Sequence, residues 1–374
     1  MDRCMQVGLL SGMQALADQS NFIFSPLSLR AGLALLAAGA HGATLRQLLD
    51  FLGCEDAGHL DAATARLHAG LRAWPQVSFA AGVFVDRSLS LAPAFASAAA
   101  SAHAAVARSV DFVNDPAAAA AEVNGFVEQA TAGRIRDLVS ADAFGGGGDV
   151  GAMPTAVVLA NGVHFKATWA RRFEPEATVY DYFDCGDDRF TPFRVPFLSD
   201  PGEHYAEAFD DGFKVLQLFY KMTGPDGRLH RDAPCFCMLL FLPDDPQDGL
   251  AALLRLAAAD PEFVMRCVPR REQEVSPCMV PKFSSIMPLG GEEEERLYVS
   301  ALGMACAVEV DEEGTTAVAS TCVCYSPTDA VYRSPPPPPP VSFVADHPFM
   351  FAIVEYDKGE VLFIGHVMDP SKEA

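Results

Sequence analysis

Near residue 153 the apolar residues of this chain change their spacing, and that change restricts the fold more than any other feature. Before it, apolar positions recur every three or four residues over Leu27–Leu52, where Ser25 or Ser28 can cap a helix. An alanine-rich stretch, Ala92–Ala107, and a third periodic stretch, Ala117–Leu138, predict further helices. Gly145–Gly148 then breaks the pattern as a loop. Beyond Met153 the spacing becomes that of strands: Thr155–Phe165, Lys214–Tyr220, Cys235–Leu242, Ala307–Val310, Phe349–Glu355 and Glu360–Val367. Tyr356-Asp357-Lys358-Gly359 reads as the turn of a hairpin joining the last two. Helices first and strands later predict an α+β fold with mainly antiparallel sheets, not a doubly wound parallel sheet.

One segment stands apart from this pattern. Residues 314–341 begin with small and β-branched side chains and end in Ser334 and the six prolines Pro335–Pro340. Such a proline run cannot enter a sheet interior and forms a stiff extended rod. Lying between two strands, the segment reads as a long exposed loop, of the kind that usually carries function.

Charge and chemistry exclude several classes. Lys+Arg 27 against Asp+Glu 49 leaves a net charge of −22. A field of that sign repels phosphate and anionic lipid, and the scattered cations form no basic patch, so neither nucleic acid nor a membrane is an expected partner. Ten cysteines form no C-x-x-C pair, no histidine lies at a zinc-site spacing from them, and no metal or cofactor is expected. The start of the chain lacks the zones of a signal peptide and there is no N-x-S/T sequon, so reduced thiols and a cytoplasmic location are expected. Gly146–Gly151 formally matches a dinucleotide fingerprint, but a helix precedes it and Pro154 with a strand follows, the reverse of what that motif requires. His164 and His366 fall in strands and read as structural. The acidic runs Asp210-Asp211, Asp244-Asp245 and Glu292–Glu295 read as solvated turns. Nothing in the chain makes an enzyme.

Four motifs, in order along the chain, are more specific. They are Asn21-Phe22-Ile23-Phe24-Ser25-Pro26-Leu27-Ser28, the run Leu159 to Trp169, the run Val308 to Thr315, and Phe343–Phe351 followed by Val361–Val367. Together they resemble the serpin family, most of all plant serpins. The resemblance implies a single domain over residues 1–374, with three mainly antiparallel β-sheets and eight or nine helices. It also implies an exposed reactive-centre loop at about residues 312–341.

The resemblance also implies a mechanism and a partner. An inhibitory serpin is a suicide substrate for a serine protease, or for a cysteine protease. Its loop is attacked to give an acyl-enzyme, the cut arm inserts into a strained five-stranded sheet, and the dragged protease loses its catalytic geometry. By this alignment Glu312, Glu313 and Gly314 form the hinge, and insertion begins with Thr315, Thr316, Ala317, Val318, Ala319, Ser320 and Thr321. No charge occurs on either face of the arm from Thr315 to Tyr325, which suits a buried strand. The reactive bond falls at Thr328-Asp329 counted from Glu312, and at Arg333-Ser334 counted back from Phe343. Ser25, Ser28 and Asn161 match the family's shutter and Trp169 its breach.

Two departures stand against inhibition. Met304 occupies the position of a shutter histidine, and the stretch from Ser285 to Leu297 is too short for a helix the family carries there. The alternative is therefore a non-inhibitory, monomeric serpin-fold protein that has lost metastability and serves as a binding module, or a proline-rich ligand docking through Pro335–Pro340.

Overall fold

A computed structural model describes residues 3–74, 76–130, 133, 136–144, 155–185, 192–224, 228–229, 233–289, 301–315 and 340–372. Eight α-helices are assigned among them, and the strands form one large, one five-stranded and one two-stranded sheet. Among the described residues no helix is long and apolar enough to cross a membrane. The chain divides into two compact units, each assembled from three separate segments.

The first unit comprises Met1–Gly8, Ile23–Phe165 and Ile286–Val308. Its sheet runs in the order Phe283–Leu289, Ala301–Val310, Val157–Phe165, Val77–Asp86, Ala105–Val110. Val77–Asp86 lies antiparallel to Val157–Phe165, from Val77 opposite Phe165 to Val85 opposite Val157. The central pair is different. Ala301–Val310 runs parallel to Val157–Phe165, from Ala301 beside Val158 to Ala307 beside His164. Helix Pro116–Ala130 covers one part of this sheet through Val123 and Val127, which pack with Phe84, Phe112 and Val158. Leu35 and Ala99 pack with Val83 and Leu159 in another cluster.

Three expectations are corrected here. Leu27–Leu52 is two helices, Pro26–Gly39 and Gly42–Leu52, because Ala40 turns extended at ψ 156° and Gly42 takes φ +62°. The alanine-rich stretch is helical only over Pro93–Ser101, and Ala105–Val110 instead pairs in parallel with Val77–Asp86. Helix Pro116–Ala130 also ends earlier than the periodicity predicts.

The second unit comprises Leu9–Phe22, Lys166–Ser285 and Glu309–Ala374. Neighbouring strands of its sheet are Glu360–Val367, Phe349–Glu355, Phe236–Pro243, Phe213–Phe219, Gly202–Phe209, Glu272–Pro281, Phe193–Ser199 and Val179–Phe183. Val341–Val344 adds to Glu272–Pro281 in parallel. Phe236–Pro243 and Phe349–Glu355 are buried at every position, which explains their unbroken apolar runs. The hairpin turn after Glu355 forms as predicted, with Gly359 at φ +70° and the Glu355 Oε2 accepting from Lys358 N at 2.7 Å.

All cysteines among the described residues are free. Burial pushes the thiols of Cys237, Cys278 and Cys306 up to about 12, so they stay protonated and serve as packing. His366 is fully buried, as its strand position suggests, and its Nε2 donates to Ser20 O at 3.1 Å.

Candidate functional site

The hinge is built around a turn that Asp311 closes. Asp311 Oδ1 accepts from Glu313 N at 2.9 Å and from Gly314 N at 3.1 Å, and Asp311 N donates to Gly314 O at 3.1 Å. These bonds turn the chain after Ala301–Val310 so that Gly314–Thr315 pairs antiparallel with Ala167–Thr168, Gly314 opposite Thr168 and Thr315 opposite Ala167. Gly314 has φ +140°, and a Cβ there would collide with Ala167 O and lie 2.5 Å from Thr168 Cα. Only glycine fits so close an approach.

Trp169 anchors the turn from the other side. Its indole Nε1 donates to Asp311 O at 2.9 Å and its backbone N donates to Glu313 O at 2.9 Å. The ring is buried, stacked on Tyr220 at 4.4 Å and met edge-on by Phe173 at 6.3 Å. Glu312 is held by an ion pair with Lys282 and by Thr178 Oγ1, which donates to Glu312 Oε1 at 2.9 Å. Burial raises the Glu312 pKa, but the hydrogen bonds from Lys282 and Thr178 outweigh it and leave the carboxyl below its ordinary value. Asp311 goes the other way: burial, with the nearby charges of Glu309 and Glu312, lifts it above the ordinary value against its backbone hydrogen bonds.

In the first unit the predicted shutter residues come together. Ser25 caps helix Pro26–Gly39, its Oγ accepting from Ser28 N at 3.2 Å, and Asn161 Nδ2 donates to Ser28 O at 3.1 Å. All three are fully buried, yet among the described residues Ser28 Oγ and Asn161 Oδ1 have no hydrogen-bond partner. Met304 is the backbone register partner of Asn161. The backbone register sets residue 304 next to Asn161, so a histidine introduced here is expected to offer a ring nitrogen to the orphaned oxygens. Met304→His is therefore expected to raise stability by roughly 1 kcal/mol, the net worth of one hydrogen bond. Thermal melting checks this, and a lower melting temperature would show that the position belongs to apolar packing.

Thr316, Ala317, Val318, Ala319, Ser320 and Thr321 of the arm lie outside the described residues, as do both candidate reactive bonds, Thr328-Asp329 and Arg333-Ser334. Among the described residues no group of three or more His, Cys, Asp or Glu side chains could hold a metal. Sequence reasoning placed Asp311 in the hinge motif but gave it no role, and it missed the contacts of Lys282 and Thr178. An aspartate three residues before a glycine is a turn signal that could have exposed the first. The other two reach Glu312 only through tertiary pairing.

The chain matches the family model described as Serpin (serine protease inhibitor), in two pieces at residues 6–286 and 278–370. A rice protein (Oryza sativa subsp. japonica) named "Putative non-inhibitory serpin-10" is 57% identical over 404 aligned positions, covering 100% of both chains. Serpin-Z2B of wheat (Triticum aestivum) is 35% identical over 94% of this chain and 90% of its own length. Among solved structures, Arabidopsis AtSerpin1 in its native stressed conformation superposes with a TM-score of 0.76 at 28% identity, over 100% of both chains.

Proposed function

We propose that this chain, which belongs to the serpin family, is a non-inhibitory serpin. On this reading it is one serpin domain and a monomer whose cut arm still inserts but traps no protease, and it works by binding partners. Trypsin-like proteases cut its reactive loop as an ordinary substrate and are not trapped.

The observation that carries this reading is the hinge register, Gly314 opposite Thr168 and Thr315 opposite Ala167. An arm continuing in that register brings Thr321 opposite Asn161 and Pro327 opposite Thr155. Proline donates no hydrogen bond and is excluded from a central strand, so insertion stops at about Tyr325. Arg333 supplies the basic residue that a trypsin-like pocket with a carboxylate accepts. Its bond lies eight residues beyond Tyr325, roughly 26 Å of slack at about 3.3 Å per residue. A protease held on so long a tether keeps its catalytic geometry and deacylates. Thr328-Asp329 lies close enough to the end of the arm, but threonine before aspartate, beside Pro327, suits few protease pockets. The names of the rice relatives at 57% and 45% identity fit the same reading.

A second reading, inhibition of a serine or cysteine protease through Thr328-Asp329, draws on two features. The arm from Thr315 to Tyr325 carries no charge. The parallel central pair Ala301–Val310 and Val157–Phe165 can exchange one parallel ladder for two antiparallel ones when a strand enters. Incubation with trypsin separates the readings. A released peptide beginning at Ser334, with no SDS-stable complex, is expected, and a covalent protease complex would overturn the non-inhibitory reading.

A further inference from the structure

The strand Val179–Phe183 is the outermost of its sheet among the described residues, and its two ends are tied to the two roots of the reactive loop. Thr178, immediately before it, bonds to Glu312, where the loop opens. Asp184, immediately after it, donates its backbone N to Asp346 O at 2.8 Å, just past the strand Val341–Val344 on which the chain returns. Five residues, roughly 17 Å at about 3.4 Å each, therefore bridge the two roots.

The strand is unusually open for its composition. Tyr180 is 63% exposed, Tyr182 59% and Val179 43%. An exposed strand edge commonly invites another strand, but here two backbone groups are already taken. Arg194 Nη2 donates to Tyr180 O at 2.8 Å, and Tyr182 N donates to Asp181 Oδ1 at 2.8 Å. Edge pairing is thereby blunted. What the strand offers is side chains: Tyr180 and Tyr182 alternate onto one face of a backbone held by its caps. Four exposed acidic residues, Glu174, Glu176, Asp181 and Asp184, lie on this segment, on a chain of net charge −22, and the one cation paired across from Tyr182, Arg194, is occupied by its bond to Tyr180 O.

We propose that Tyr180 and Tyr182 form a docking platform for the protease that cuts the loop, receiving a rim of that protease that carries lysine or arginine. Ring faces attract such cations directly, and the neighbouring carboxylates steer them in. Two adjacent tyrosines with few rotatable bonds are typical anchors of a protein interface. This inference rests on the reading of the loop as a protease substrate and names the surface that selects the protease.

The test compares the full chain with its Tyr180→Ser/Tyr182→Ser variant, using a cationic trypsin whose catalytic serine is replaced by alanine, at low salt. Binding then reads out independently of cleavage. The variant is expected to bind about tenfold more weakly, with the difference shrinking as salt rises, while its melting temperature stays unchanged because both side chains are exposed. Equal affinity for the two proteins would overturn the platform. Active trypsin tests the underlying reading separately: a covalent complex with the wild-type chain would defeat the substrate reading and leave the affinity comparison standing by itself.

Discussion

Once the Arg333-Ser334 bond is cut, the melting temperature of the chain is expected to rise by roughly 13 °C. The rise comes from the arm between Thr315 and Tyr325 joining the five-stranded sheet. In the intact chain Ala301–Val310 and Val157–Phe165 satisfy each other in a parallel ladder, and an arm entering between them forms two antiparallel ladders instead. At about 1 kcal/mol net for each added hydrogen bond, an arm of this length contributes on the order of 10 kcal/mol. The hinge is prepared for the move, because Gly314–Thr315 already pairs with Ala167–Thr168. Ala317→Arg is the control. It introduces a charge at the first inward position beyond the paired Gly314–Thr315, where burial without a partner is costly, so the variant should be cut at the same rate and show no rise. A cut wild-type chain that melts where the intact chain melts would show that the arm stays outside. Insertion and trapping are separable here: the arm can enter as far as Tyr325 while the slack beyond it leaves the protease intact.

How much of this was legible in the sequence depended on the kind of signal. Phe349–Glu355 and Glu360–Val367 were readable because strands largely buried on both faces give mostly apolar runs and a glycine marks the turn between them. Val77–Asp86 escaped notice because its alanines and glycine carry little strand preference, and pairing on both sides decides its conformation. The same holds for Ala105–Val110, where a local alanine preference for helix yields to a parallel partner. Within the site, Gly314 and Trp169 could be located from the motifs. That Trp169 donates to the Asp311 carbonyl could not, since the bond joins residues 142 positions apart. Met304 was suspect from alignment, but that Ser28 Oγ and Asn161 Oδ1 lack partners among the described residues emerges only from the packed structure.

Acid should weaken this fold before ordinary carboxylate titration begins, and His366 is the reason. The ring is fully buried, stacked on Phe22 at 5.7 Å, with Nε2 donating to Ser20 O. Among the described residues its Nδ1 has no hydrogen-bond partner. Burial disfavours the imidazolium and takes the pKa down to about 4, only partly offset by the Ser20 carbonyl. The unfolded chain, with an ordinary value of about 6.5, takes up a proton that the folded chain refuses. The stabilisation is therefore present in full above pH 6.5 and is lost as the pH falls towards 4, a total of roughly 3 kcal/mol. Glu312, whose folded pKa is lowered, adds its own loss only at lower pH. His366→Gln isolates the histidine, since glutamine can still donate to Ser20 but does not titrate. Denaturant unfolding at pH 7 and at pH 4.5 should show the wild type losing more stability than the variant, by over 2 kcal/mol. Parallel losses in the two proteins would mean that the buried ring takes up its proton at an ordinary pH and that the acid sensitivity lies elsewhere.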